Sequence, residues 1–101
     1  MVFKVQVSVR FFTSLREIVN KRQETLSFPE DEKVTVDTVL KALAKRYDRV
    51  FVDYVYDDKT GQAKGFLQFL VNGASTSTLD GLETALKDGD VLAILPPVGG
   101  G

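Results

Sequence analysis

The run Val91-Leu92-Ala93-Ile94-Leu95 is apolar at every position, and Pro96 and Pro97 close it. A strand with one wet face would alternate. This one does not, which predicts a strand covered on both faces and placed in the middle of a sheet. The prolines lack an N–H and hold φ fixed, so they end the ladder and launch the chain in extended form. Only Val98, Gly99, Gly100 and Gly101 follow. The fold must therefore gather a sheet around residues 91–95 and release from its centre a segment with a stiff root and a bare tip.

The rest of the chain supplies that sheet. Phe3, Val5, Val7, Val9 and Phe11 alternate with Lys4, Gln6, Ser8 and Arg10, the period of a strand with one dry face. Ser14 and Glu17 have capping-box spacing, which predicts a short helix with Ser14 as N-cap and Asn20 as its stop. Gln23 to Phe28 alternates again and reads as a second strand, antiparallel to the first. After the charged turn from Pro29 to Lys33, a helix opens at Thr35 or Val36. Its apolar residues Val36, Val39, Leu40, Leu43 and Tyr47 form one stripe. Asp37 in the first turn and Lys41, Lys45 and Arg46 later suit the helix dipole.

Phe51 to Tyr56 is ambiguous between a strand and an irregular helical turn, and Asp57 to Gly61 reads as a turn. The acids Asp53, Asp57 and Asp58 are expected to face water rather than a metal. Phe66 to Val71 reads as a strand that stops at the Asn72-Gly73 turn. Lys87-Asp88-Gly89-Asp90 is a tight turn into the final strand. Strand, short helix, strand, long helix, strand, turn and strand make an α+β domain, a mixed sheet with one main helix on its face. The ubiquitin-like β-grasp is the expected fold, with a domain over 1–95 and a reactive tail over 96–101.

Composition removes several classes of chemistry. The chain of 101 residues contains no Cys and no His. A disulfide framework, a thiolate nucleophile and a Ser-His or Cys-His catalytic set are all excluded. Lys and Arg total 13 against 14 Asp and Glu, a formal charge of -1. That balance gives no electrostatic case for nucleic acid or an anionic membrane. No apolar stretch approaches the ~20 residues that cross a bilayer, and the N-terminus lacks a signal-peptide pattern. The expected location is cytoplasmic.

What remains is the tail. From Pro96 to Gly101 it can span about 20 Å. Gly99, Gly100 and Gly101 carry no side chains, so a narrow slot in another protein would admit them. Ordering them costs on the order of 1–2 kcal/mol per residue, a cost suited to a group that must travel deep into a partner. The group at the tip is the Gly101 carboxylate. A free carboxylate is a poor acyl donor, so another protein's ATP-dependent chemistry must activate it. A glycine-rich end can also be idle, and the residues upstream decide between the two.

Val9 to Arg22 (VRFFTSLREIVNKR), Val71 to Gly73 (VNG), Leu79 to Asp90 (LDGLETALKDGD) and Val91 to Gly101 (VLAILPPVGGG) resemble, in order, the MoaD-like sulfur carriers. These are the small subunit of molybdopterin synthase and its archaeal relatives. The resemblance implies a β-grasp in which an E1-like, MoeB-like enzyme uses ATP to adenylate Gly101, which then becomes a thiocarboxylate. It implies a MoaE-like large subunit that takes up Pro96, Pro97, Val98, Gly99 and Gly100, and sulfur transfer from Gly101 to a pterin precursor. The carrier itself binds no cofactor or metal. Phe12 and Arg16 match positions on the surface that meets these partners. Leu95 stands where relatives often have Phe, and the 51–66 segment is longer and more aromatic than in a minimal member.

Two further readings share the tail chemistry. A ubiquitin-like modifier would join Gly101 to a substrate Lys by an isopeptide bond. A thiazole-pathway carrier would resemble this chain, but that family is shorter and usually lacks the double proline.

Overall fold

A computed structural model of the chain describes residues 4–95. Phe3 and the whole 96–101 segment lie outside the described residues. The elements in chain order are β1 (Lys4–Phe11), α1 (Thr13–Val19), β2 (Gln23–Pro29), α2 (Val36–Val55), β3 (Gln68–Val71), β4 (Ala74–Ser75), and β5 (Val91–Leu95). Two short 3-10 turns, Thr76–Thr78 and Gly81–Glu83, lead towards β5.

The strands form one mixed sheet in the order β2-β1-β5-β3-β4. β1 and β5 are parallel, and every other pair is antiparallel. The final strand therefore lies at the centre, as its apolar run requires. The main helix packs on one face, giving the expected β-grasp. Val7, Val9 and Phe11 of β1, Leu26 and Phe28 of β2, Phe69 and Val71 of β3, and Leu92 and Ile94 of β5 point at it. Val36, Val39, Leu40 and Leu43 of α2 meet them, and all four are fully buried. The stripe read from the sequence is thus the core face.

Both helix starts depart from simple patterns in instructive ways. Ser14 does not cap α1: the N-cap is Phe12, with no side-chain hydrogen bond, and Thr13 opens the helix at φ 47°. Short α1 is held by burial of Leu15 and Val19 rather than by a capping box. Asn20 does end it, in the left-handed conformation at φ 59°. Thr35 caps α2 with a true reciprocal box. Its hydroxyl accepts from Thr38 N at 3.2 Å, and Thr35 N donates to Thr38 Oγ1 at 3.1 Å.

The ambiguous stretch resolves as helix. α2 continues to Val55 across a kink at Asp48 (φ 55°, ψ -135°). Beyond the kink Phe51 and Val55 re-enter the core, both fully buried. The apolar residues on both sides of the kink thus face the same core. The expected strand from Phe66 begins only at Gln68, and Phe66 itself is exposed.

Candidate functional site

The site is the root of the tail and the sheet face around it. β5 alternates after all: Leu92 and Ile94 are buried under α2, while Val91, Ala93 and Leu95 are half-buried on the opposite, helix-free face. The apolar run predicts coverage on both faces. Within the described residues one of those faces is open. Its apolar character is therefore available for contact with another molecule.

Register places the neighbours. Ala93 stands between Leu70 of β3 and Arg10 of β1, and Leu95 pairs with Gln68. One row across the open face thus reads Ser75, Leu70, Ala93, Arg10, Gln23. Adjacent strands are about 4.8 Å apart, so Leu70 and Arg10 flank the small Ala93 closely. The β1–β5 ladder ends at Phe11 opposite Ile94. Phe12 and Leu95, the next residue of each strand, therefore lie at the same end of the sheet.

Phe12 is half-buried, and the Arg10 guanidinium lies 5.9 Å from its ring centroid. This is cation–π distance. The ring sits beside the open face rather than in the core. Arg16 is exposed on α1, one helical turn beyond Phe12, whose carbonyl accepts from Arg16 N at 3.5 Å. With Glu17, Asn20, Lys21 and Arg22 it lines a shallow hollow of about 320 Å³. Arg22 is tied to the same end, since its carbonyl accepts from Phe11 N at 2.9 Å. Phe12, Arg16 and Leu95 are thus brought to one end of the molecule. Pro96, Pro97, Val98, Gly99, Gly100 and Gly101 lie outside the described residues.

The sequence reading missed Arg10, Gln68, Leu70 and Ala93. The signal was present: Arg10 occupies the wet parity of β1, and β5 is apolar at the parity that should have been polar. Among the described residues no group of three or more acidic side chains is placed to hold a metal ion. No helix there is long and apolar enough to cross a membrane.

A mixed five-stranded sheet with one main helix packed on it and β5 at its centre defines the ubiquitin-like β-grasp. The ThiS family matches residues 9–101, and the chain belongs to that family. It is 36% identical over 97 residues to small archaeal modifier protein 3 of Haloferax volcanii, covering 96% of this chain and 100% of that protein. It superposes on the solution structure of small archaeal modifier protein 1 from Methanosarcina acetivorans with a TM-score of 0.77 and 36% identity. That match covers 98% of this chain and 99% of the other. A putative molybdopterin converting factor subunit 1 from Pyrococcus furiosus gives a TM-score of 0.71 at 27% identity, covering 93% and 99%. The β-grasp and the MoaD-like kinship read from the sequence both stand.

Proposed function

We propose that the chain is a sulfur carrier that works through Gly101 as the small subunit of molybdopterin synthase. The observation that carries the reading is the central β5, whose open-face residue Leu95 leads directly into Pro-Pro-Val-Gly-Gly-Gly. The Gly101 carboxylate attacks the α-phosphate of ATP on an E1-like, MoeB-like enzyme and displaces pyrophosphate. A sulfur nucleophile then displaces AMP from the acyl carbon, leaving a thiocarboxylate. A MoaE-like subunit docks on the open face and receives the tail, and the sulfur passes to a pterin precursor. The carrier contributes the acyl group and the docking surface. Cys and His are dispensable to it because the catalytic side chains belong to its partners. The proposed location is the cytoplasm.

The likeness to two small archaeal modifier proteins favours a second reading. Here a substrate Lys amine attacks the activated Gly101 and forms an isopeptide bond. Both readings use the same tail and the same activating step.

The test is intact-protein mass spectrometry after incubation with ATP, an E1-like enzyme and a sulfur source. Exchange of one oxygen for sulfur at Gly101 supports the carrier. Immunoblots of whole cells then look for a ladder of heavier conjugates, which only the modifier produces. An unchanged mass with a demonstrably active E1-like enzyme would sink the carrier reading.

A further inference from the structure

The 51–66 segment has no part in the tail chemistry, yet it is elaborately built. Tyr56 bridges to Ala63, closing a hairpin whose turn is fastened by Asp57. Asp57 Oδ1 accepts from Lys59 N at 2.8 Å and from Thr60 N at 3.3 Å. Residues of the hairpin and of α2 together line a groove of about 440 Å³. Ala44, Val52 and Tyr56 supply apolar lining, and Lys41, Lys45, Asp53 and Asp58 supply charges of both signs.

Beside this groove stands an aromatic knob. Phe66 is 54% exposed. It is held rather than loose: Lys64 Nζ lies 5.8 Å from the ring centroid and donates to the Asp53 carbonyl at 2.9 Å. Asp53 also lines the groove, so Lys64 links the knob to it. Val50, on the same half of α2, is 53% exposed.

We propose that this surface binds a second copy of the chain in a two-fold dimer, each Phe66 entering the groove of its partner. A two-fold interface must be complementary to itself. This surface is, because knob and groove adjoin and the groove lining carries both signs of charge. Neither Lys45 nor Asp58 is in an ion pair with a described residue, so both are free to pair across the axis. The patch is small, so the dimer belongs to the weak, concentration-dependent class. The proposal stands independently of the sulfur-carrier reading.

Sedimentation velocity of the full chain tests it, from about 1 μM to about 500 μM, the range that populates an interface below ~1,200 Å². A monomer–dimer equilibrium is expected. Phe66→Ser should weaken it at least ~10-fold, since aromatic anchors dominate such contacts. Ala44→Glu in the groove lining should do the same. Leu79→Ser, at another exposed apolar position, should leave it unchanged. Mixing the Phe66→Ser and Ala44→Glu chains restores one intact knob in one intact groove, so the mixed dimer should be tighter than either parent. A monomer at every concentration, a dimer indifferent to Phe66→Ser, or no recovery on mixing would overturn the proposal. Phe66 is exposed, so its variant tests binding without unfolding the domain.

Discussion

Asn72 and Asp90 are joined by a hydrogen bond that fixes where the last strand begins. Asn72 Nδ2 donates to Asp90 Oδ1 at 2.9 Å, while Asn72 Oδ1 accepts from Val91 N at 2.9 Å. Asp90 Oδ2 accepts in turn from Lys87 N at 2.8 Å. The same turn is tied to β1, where Gln6 N donates to Asp88 Oδ1 and Gly89 N donates to the Gln6 carbonyl, each at 2.8 Å. Two sequence motifs, Asn72-Gly73 and Lys87-Asp88-Gly89-Asp90, are therefore one architectural clasp. It sets the register of β5 and so the height at which Leu95 leaves the sheet.

The clasp predicts a stability loss for Asn72→Ala. The substitution removes both side-chain bonds and places Ala at φ 50°, a conformation Asn tolerates better. Loss of about 1–3 kcal/mol is expected, read as a lower urea midpoint with an unchanged slope. An unchanged midpoint would show that the clasp does not contribute.

A second hub joins β2 to α2. Glu24 has a side chain only 5% exposed and accepts from Lys21 Nζ at 2.9 Å and from Tyr47 Oη at 2.6 Å. Arg46 also pairs with it, just before the kink at Asp48. Removing one member of a buried ion pair can cost 3–5 kcal/mol when a charge is stranded. Here Lys21 and Arg46 are half-exposed and can return to water. Glu24→Ala should therefore cost less, about 1–3 kcal/mol. Chemical denaturation measures it, and a loss above that range would mean the cations cannot escape.

The core face is tested by Leu43→Ala. Leu43 is fully buried among α2 and the sheet, so the substitution should cost about 2–5 kcal/mol. A near-zero change in unfolding free energy would misplace the helix stripe.

Tyr56 and Tyr47 make the fold sensitive to alkali. Burial lifts both phenols above the ordinary value of 10.0; nearby Asp37 adds to the shift at Tyr56, and Arg46 opposes it at Tyr47. The Tyr56 hydroxyl has no hydrogen-bond partner among the described residues. A raised folded pKa means the native state keeps its proton when the unfolded chain has lost it. The contribution is full below the unfolded value of 10.0 and is lost as pH rises through the folded values. Near-ultraviolet absorbance should show delayed phenolate formation in the folded protein, and Tyr56→Phe should remove part of the delay. Equal titration in native and denatured protein would refute this.

Much of this architecture was legible because it follows single periods. The β1 and β2 alternation, the Val36 to Leu43 stripe and the all-apolar β5 each dictate one placement. The extension of α2 was not legible. Val39, Leu43, Tyr47, Phe51 and Val55 fall every four residues, a row that drifts round a straight helix, and nothing in it announces the φ of 55° at Asp48. Ser14 misled because capping-box spacing states only what is possible, and burial of Leu15 and Val19 set the start of α1 instead. For the site, Phe12, Arg16 and Leu95 came from resemblance. Arg10, Leu70 and Ala93 needed the strand register, because residues so far apart in sequence meet only through β5.

That register yields the prediction closest to function. Leu70 and Arg10 flank Ala93 on the open face, beside Leu95. An apolar strip next to a cation suits a partner that offers an apolar patch beside a carboxylate. Arg10→Glu and Leu70→Glu should each slow activation of Gly101 by an E1-like enzyme about 10-fold or more, through weaker docking. Arg10 is exposed, and its change should leave stability within ~0.5 kcal/mol. The activation assay is ATP–pyrophosphate exchange, run against carrier concentration. A rise in the carrier concentration needed for half-maximal rate, with the saturated rate preserved, assigns these residues to docking. Loss of the saturated rate alone would place their effect in the chemistry at Gly101 and remove the open face from partner binding.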